Sequence, residues 1–516
     1  YYFSDELELS FLGNYSRNQY QSIPNTRTSE FGTVSEALQL KVFFDGQEVD
    51  EYETGMGALR LSYEPIRNPD KIVSLNFTAS GFQTVEQEFF DVEGQYILGQ
   101  LDNSLGSESF GEVVSTRGVG SYLNYARNEL FAQVATLEHR GNIKVPAKSE
   151  LEWGVKFQHE HIDDRLNEWQ LIDSLGFSIA PPELGNVFEL YEVVKADNTL
   201  NSQRYSGFVQ YNSGKILADS SRIDYTIGIR SNYWTLNKEN IISPRATLAY
   251  KPKWEKKYLF RLSSGLYQQP PFYRELRDKK GNLFPNVKAQ KSAHFVLGAD
   301  RIFNAWGREF KMVGELYYKY MWDVIPYEIE NVRIRYLPEQ IATAYSAGAE
   351  FRINGEFVPG VESWIGMAVQ QTQEDIKGDG HGYIAKPTDQ RVNFNMFFQD
   401  YLRDNPRYKM HLNLAYGTGL PFGAPGSERN EQTLRVPDYR RVDIGFSYDL
   451  KDKKYPNKSK LLKPFESVWI GAEVFNLLAI RNTISYLWVT DAQNAQYAVP
   501  NYLTSRLLNF RLIAKF

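Results

Sequence analysis

The 516-residue chain contains no cysteine. That removes disulfide frameworks, thiolate nucleophiles and cysteine-based zinc sites, and it fits a cytosolic or an oxidising compartment equally. No run of about 18 apolar residues is present, which excludes a membrane protein built from spanning helices, and the mean hydropathy of -0.47 agrees. Nor does one sign of charge dominate: 58 Lys and Arg stand against 63 Asp and Glu, which gives no reason to expect nucleic acid. The sequence holds no G-x-S-x-G elbow, no H-E-x-x-H and no G-x-x-x-x-G-K-[ST], so acyl transfer, zinc hydrolysis and nucleotide hydrolysis find no support and no enzyme is expected. The chain opens Tyr1-Tyr2-Phe3 with neither a basic n-region nor an apolar h-region, as expected of a processed or truncated chain.

Aromatic residues, by contrast, are abundant: 34 Tyr, 32 Phe and 9 Trp make up 15% of the chain. The dominant pattern is two-residue alternation in segments of about ten residues. Leu508, Phe510, Leu512, Ala514 and Phe516 share one face against Asn509, Arg511 and Lys515. Val442 to Leu450, Tyr408 to Tyr416, Val392 to Phe398 and Ile223 to Ile229 repeat the code, each setting an apolar row against a polar one. Successive strand side chains point to opposite faces, so each segment is a strand with one oily and one polar side.

A soluble sandwich would turn the polar side to bulk water. Two features favour another arrangement. Links alternate between short (Gly214 to Ser220, Lys251 to Lys256, Asn304 to Gly307, Gly355 to Gly360, with Pro65 to Asp70 and Arg403 to Arg407) and long and polar (Ile162 to Leu200, Pro270 to Ala289, Glu374 to Thr388, Thr418 to Pro437). That is the rhythm of a transmembrane barrel. Aromatic residues such as Trp153, Phe157, Tyr318, Tyr320, Trp322, Tyr408 and Tyr416 lie near strand ends, where rings with a polar tip prefer the lipid–water boundary. A closed barrel also leaves no unpaired backbone group in hydrocarbon. The expected fold is therefore all-β, a large antiparallel transmembrane barrel of about 18 strands, ending in the pairs 361–373 with 388–400, 407–417 with 438–450 and 465–478 with 505–516. Region 18–55 is the hardest to place, since Ala37 to Phe44 reads as an extra strand or as loop.

Several stretches then resemble the barrel of TonB-dependent outer-membrane receptors, most closely those of Bacteroidota. They are Leu9 to Tyr15 (LSFLGNY), Val42 to Asp50 (VFFDGQEVD), Gln268 to Leu276 (QQPPFYREL), Tyr416 to Phe422 (YGTGLPF), Gly471 to Leu477 (GAEVFNL) and Asn482 to Asp491 (NTISYLWVTD). Phe516 on an alternating strand is similar to the signal read by barrel-assembly machinery. The resemblance covers nearly the whole chain. It implies a 22-stranded barrel in the outer membrane of a Gram-negative bacterium, importing a nutrient such as a siderophore, vitamin, glycan or peptide with energy from TonB. It implies no cofactor. Family barrels also carry an N-terminal plug, which meets the TonB complex. No plug is found in 1–516 and about four strands are short of the family number, so a partial chain is expected; a chain complete as it stands would be an open pore. A passive porin, or a surface or secretion-complex component binding a lipoprotein or another protein partner, are the other readings.

Within this frame, Gln268, Gln269, Phe272, Tyr273 and Arg274 follow a strand that Pro270 and Pro271 terminate. Amide, aromatic and guanidinium groups suit a ligand grip, and equally a rigid loop packed on its neighbours. Arg230, Arg391, Arg441 and Asp443 fall on the polar, lumen-facing side, where they steer an anionic ligand or, as the favoured reading has it, hold a plug. His159 and His161, with Glu160, Asp163 and Asp164 close by, offer metal-ligand types, but the two histidines continue the outward face of Leu151 to Phe157 while Glu160 points inward, so this cluster reads as a surface rim and not as a metal site. The stretch Asp375 to Gly380 (DIKGDG) begins like a calcium loop, but Lys377 and Lys386 stand where ligands belong.

Overall fold

The computed structural model describes residues 1–33, 35–65, 72–145, 149–172, 190, 192–330, 333–402, 405–424, 427–451, 460–491, 495–503 and 505–515. The links at 66–70 and 403–404, most of 173–191 and Phe516 lie outside the described residues.

The chain runs β1 (Tyr2–Ser4), β2 (Leu7–Ser22), β3 (Arg27–Gly32), β4 (Ala37–Tyr63), β5 (Ile72–Leu101), β6 (Val113–Val145), β7 (Ser149–Ile172), β8 (Glu192–Ile216) and β9 (Arg222–Trp234). It continues with β10 (Glu239–Lys251), β11 (Lys257–Gln269), β12 (Gln290–Ala305), β13 (Arg308–Val324), β14 (Tyr327–Glu330), β15 (Arg333–Tyr336), β16 (Ala342–Val358), β17 (Val361–Ile376) and β18 (Ile384–Ala385). The last third holds β19 (Val392–Leu402), β20 (Asn405–Gly417), β21 (Pro421–Phe422), β22 (Leu434–Arg435), β23 (Tyr439–Lys451), β24 (Ser467–Phe475), β25 (Thr483–Thr490), β26 (Gln496–Tyr502) and β27 (Leu507–Lys515).

One sheet takes 21 strands. Three of them, β1, β3 and β18, are short pieces at its margins. The other 18 form an antiparallel meander in which each strand pairs with the next, from β2–β4 through β5, β6 and β7 to β23–β24 and β24–β27. The three C-terminal pairings expected from the alternation are all present. Ala37 to Phe44 is neither an extra strand nor a loop, because it begins the 27-residue β4. Its partner strand is interrupted: β3 pairs with the start of β4 and β2 with the remainder.

Turns at one end are tight for local reasons. Trp306 (φ 53°) and Gly307 (φ 73°) both occupy the left-handed region, the backbone a two-residue hairpin with twisted strands requires. At the other end the links are long, and strands are longer than the sequence pattern shows. Residues 162–172 and 192–200, read above as loop, continue β7 and β8 as a paired ribbon. A spanning strand needs only about 9–11 residues, whereas β6 has 33, so the ribbon from β4 to β8 stands well clear of a bilayer. Neither face meets lipid there, and the alternation that marks a strand weakens.

The boundary can be located on the outer surface. Along the outward rows, Phe77, Leu137 and Val155 are exposed apolar groups. Higher up, the register brings Tyr15, Gly55, Gln83, Gln133, His161 and Asn201 into one row across six strands. Gln133 donates to Gln83 at 2.9 Å and the His161 ring meets Asn201 at 2.7 Å. This polar row is the upper edge of the oily belt. His161 also lies 3.1 Å from Asp163, whereas Asp164 points to the other face. Aromatic clusters border the belt, with Trp254, Tyr258 and Phe260 packed together at the tight-turn end and Tyr205 beside Tyr233 near the upper edge.

Among the described residues, neither β2 nor β27 has a ladder on its outer side, apart from two residue pairs between β2 and β1. Among the described residues, contacts join the two sides of the sheet at the loop end. There the β25–β26 hairpin buries Val489 and Val499 against Leu38, Leu40, Val42, Tyr96 and Leu98, and Arg27 donates to the Pro500 carbonyl at 2.8 Å.

Leu512 and Phe510, 69% and 79% exposed, are on the outward face of β27 while Arg511 faces Glu473 at 3.1 Å. Leu512→Arg is therefore expected to reduce the fraction that folds into lipid vesicles, at about 2–4 kcal/mol if the site lies at mid-bilayer, with Arg511→Leu tolerated better. Heat-modifiable migration on gels reads the difference, and equal loss in both variants contradicts the facing.

Candidate functional site at the mouth

Above the oily belt, the inward rows of β4 to β7 carry acids. Asp50 stands opposite Glu88 and Tyr52 opposite Glu86. Glu88 is in turn opposite Asn128, whose amide donates to Glu88 at 3.0 Å and to Glu168 at 2.6 Å. Two segments carrying arginines descend onto this wall. One is the link 270–289 after β11; the other is the β14–β15 hairpin, which leaves the meander far along the wall and returns to it. Together they enclose a cavity of about 450 Å³ lined by Tyr52, Glu86, Glu88, Asp164, Arg274 and Arg333 among others.

The first segment is held from below by apolar packing. Leu276, fully buried, joins Leu200 and Trp234 on the inner wall, with Tyr273, Leu283 and Val287 beside them. Gly281 (φ 86°) permits this approach, since a Cβ there would lie 2.7 Å from the Ala196 Cβ. Polar contacts then orient it. Tyr273 donates its hydroxyl to Asp164 at 2.8 Å, and Arg277 meets the same oxygen at 2.6 Å. Burial, reinforced by the Asp164 charge, pushes the Tyr273 phenol well above its ordinary value. Glu275 is buried too, and its pKa is raised for that reason although it accepts from the Phe272 backbone and Gln290. Arg274 reaches Glu86 at 3.0 Å and Arg333 reaches Glu88 at 2.7 Å.

The residues singled out from the sequence thus divide. Tyr273 and Arg274 enter the cavity, Phe272 is exposed at its margin, Gln268 donates to the Ile242 carbonyl at 2.7 Å, and Gln269 ends β11 opposite Gln290. Arg391 is engaged by Asp389 at 2.7 Å and Arg441 by Asp443 at 2.7 Å, while Arg230 lies over the Phe208 ring. Glu86, Glu88, Arg277 and Arg333 were not anticipated, and Asp164 was considered only beside the His159 and His161 cluster. Nothing in the sequence says which loop folds onto which wall.

Only Glu48, Asp50 and Glu88, among the described residues, bring three carboxylates near enough to share a cation, with oxygens within 4.8 Å of one another. The guanidinium of Arg333 lies against this group through Glu88. Burial first, and neighbouring acids second, raise the pKa of Glu48 and Asp50. The stretch Asp375 to Gly380 forms no such group among the described residues: Asp375 stands opposite Thr343 of β16 and Lys386 binds Glu374 at 2.9 Å. That Glu374, fully buried, also holds Arg429 at 2.9 Å, tying the link after β17 to the link after β20.

The family described as TonB dependent receptor-like, beta-barrel, matches residues 1–477. No curated protein matches. Among solved structures, the pyoverdine outer membrane receptor FpvA from Pseudomonas aeruginosa PAO1 aligns over 95% of this chain and 79% of its own at 10% identity and a TM-score of 0.50. The outer membrane transporter YddB from Escherichia coli aligns over 98% and 76% at 9% identity and a TM-score of 0.49. The ferric-catecholate import receptor Fiu from Escherichia coli K12 aligns over 99% and 82% at 10% identity and a TM-score of 0.49. At 10% identity the likeness to FpvA speaks for the fold alone.

Two predictions follow from the mouth. Asp164→Asn strips the half-buried Arg277 of the anion held by the buried Asp164, a charged hydrogen bond worth about 1.5–3 kcal/mol, and should make 270–289 a protease-sensitive segment, whereas Arg274→Gln at the exposed pair should leave it resistant; equal digestion of both contradicts the packing. Because a carboxyl with a raised folded pKa loses stability as pH climbs through that value, Asp50→Asn should raise the unfolding temperature at about pH 7 and change it little at about pH 4. Calorimetry showing the reverse would contradict the assignment.

Proposed function

This chain belongs to the TonB-dependent receptor-like β-barrel family, and we propose that it is the wall of an outer-membrane active importer whose loop end is extracellular. The supporting observation is the mouth. A passive pore needs an unobstructed entrance, whereas here two separate links fold into the interior and are fastened to the wall by the Arg274–Glu86, Arg333–Glu88 and Arg277–Asp164 pairs. An entrance guarded by such contacts suits a ligand that exchanges its own groups for them.

In this reading Arg274, exposed in the cavity, and Phe272, exposed beside it, meet the ligand first. Tyr273, Gln268 and Gln269 shape the edge. Arg391, Arg441 and Asp443 steady the wall, because each already has its partner there. The unladdered margins of β2 and β27 support a companion proposal: further strands pair with them, and a plug within the lumen engages TonB. Backbone N–H and C=O groups at those margins would otherwise face hydrocarbon at several kcal/mol each. The substrate is a scarce nutrient, with an iron chelate, vitamin, glycan or peptide as the candidates, and a Bacteroidota-type receptor is the nearest form of the proposal.

Uptake of a panel of these nutrients by cells with and without the gene, before and after a protonophore, tests it. Energised uptake that disappears with the gene and with the gradient is expected. Uptake or ion conductance indifferent to the gradient would establish the passive porin instead. Loss of no uptake at all, with a stoichiometric lipoprotein or secretion subunit co-purifying, would establish the surface-complex reading.

A further inference from the structure

Below the mouth, in the belt itself, the inner wall has a second cavity of about 460 Å³, bordered by β6 to β11. Most lumen-facing arginines of this wall are matched: Arg204 with Glu160 at 2.9 Å, Arg261 with Asp300 at 2.7 Å and Glu315 at 2.9 Å, Arg441 with Asp443. Arg230 and Arg245 are exceptions. Neither has a carboxylate at ion-pair distance among the described residues. Each instead lies over a ring, Arg230 at 5.3 Å from the Phe208 centroid and Arg245 at 4.8 Å from that of Tyr267. Tyr267 is itself stacked on His294 at 4.2 Å.

We propose that Arg230 and Arg245 form a carboxylate-binding site on the lumen wall. Several observations converge on it. Arg245 Nε and Asn232 Oδ1, both lining this cavity, are buried without a hydrogen-bond partner. Such orphaned polar atoms are costly unless a group arrives to meet them. The nearby acids are not free to do so, since Glu138 is held by Arg140 and Glu152 accepts from Asn212 at 3.1 Å. The register also keeps bulk away from Arg245. It stands opposite Gly228 on one side and Gly265 on the other, and a Cβ on Gly265 would come within 2.8 Å of the Arg245 Cβ. An arginine laid flat on an aromatic ring presents its fork edge-on, the geometry a carboxylate meets with two parallel hydrogen bonds.

The carboxylate has two possible sources: a diffusible ligand descending the lumen, or an acidic side chain of a protein segment lodged there. The site requires only that this face lines the interior. It does not require energised import, so it stands or falls separately from the function proposed above.

Two measurements decide it. In the first, the protein in detergent micelles is titrated calorimetrically with succinate. Saturable binding is expected to weaken about tenfold or more in Arg230→Gln and Arg245→Gln and to be unchanged in Arg308→Gln at a tight turn, with heat-modifiable migration confirming that each variant is folded. In the second, Arg245→Lys in native outer membranes is treated with a water-soluble carbodiimide and the cross-linked peptides are mapped. An amide to an acid from outside this wall identifies a lodged segment; succinate binding without such a link identifies a diffusible carboxylate. Absence of both, or succinate binding indifferent to the two glutamine variants, overturns the proposal.

Discussion

Every other feature rests on one constraint: a backbone amide has no water to turn to inside hydrocarbon, so each strand in the belt must give its N–H and C=O groups to a neighbour. The 18-strand meander meets this by pairing each strand with the next in sequence. Side chains are then free to differ on the two faces. Isoleucines 227 and 229 are exposed outward on β9 while Arg230 turns inward. Because the period is two, a one-residue slip would exchange these faces throughout a strand. The long, mostly regular registers hold that error off, and cross-strand pairs such as Arg261 with Asp300 add about 0.2–1 kcal/mol each.

Polarity of the outward rows then sets the vertical scale. Where they change, at Tyr15, Gln83, Gln133 and His161, the oily belt ends and the wall continues as a ribbon clear of lipid. Only above that row can long links fold back without burying uncompensated charge in lipid. The mouth is built there, from acids on β4 to β7 and basic groups on two links that originate elsewhere on the wall. Its interactions are graded: the Asp164 pair is buried and fixes the 270–289 link, while the Arg274 and Arg333 pairs are more open to solvent and to competition by a ligand.

How much of this could be read from the chain follows the same physics. Inside the belt, oil on one side and polar groups on the other impose alternation, and so strand number, facing and the C-terminal pairings were legible down to Leu512 and Arg511. Beyond the belt that pressure vanishes. Residues 162–172 and 192–200 look like loop because their outward face has no lipid to meet and only scattered inward residues, Leu166, Val194 and Leu200, are buried under the descending links, although both segments are paired. Tyr273 and Arg274 were recognisable as unusual groups at a strand end, yet their partners Asp164 and Glu86 are over a hundred residues away and carry no local mark. Arg230 was visible as inward-facing; that it lacks a carboxylate while Arg391 and Arg441 possess one is a matter of three-dimensional neighbours.

The absence of cysteine permits a direct check of the facing. Single cysteines introduced in turn at Ile227, Gly228, Ile229 and Arg230, labelled with a fluorophore and reconstituted into vesicles containing brominated lipid, report which side chains touch acyl tails. Strong quenching at 227 and 229 with little at 228 and 230 is the result this account predicts. Uniform quenching, or an inverted pattern, would contradict it.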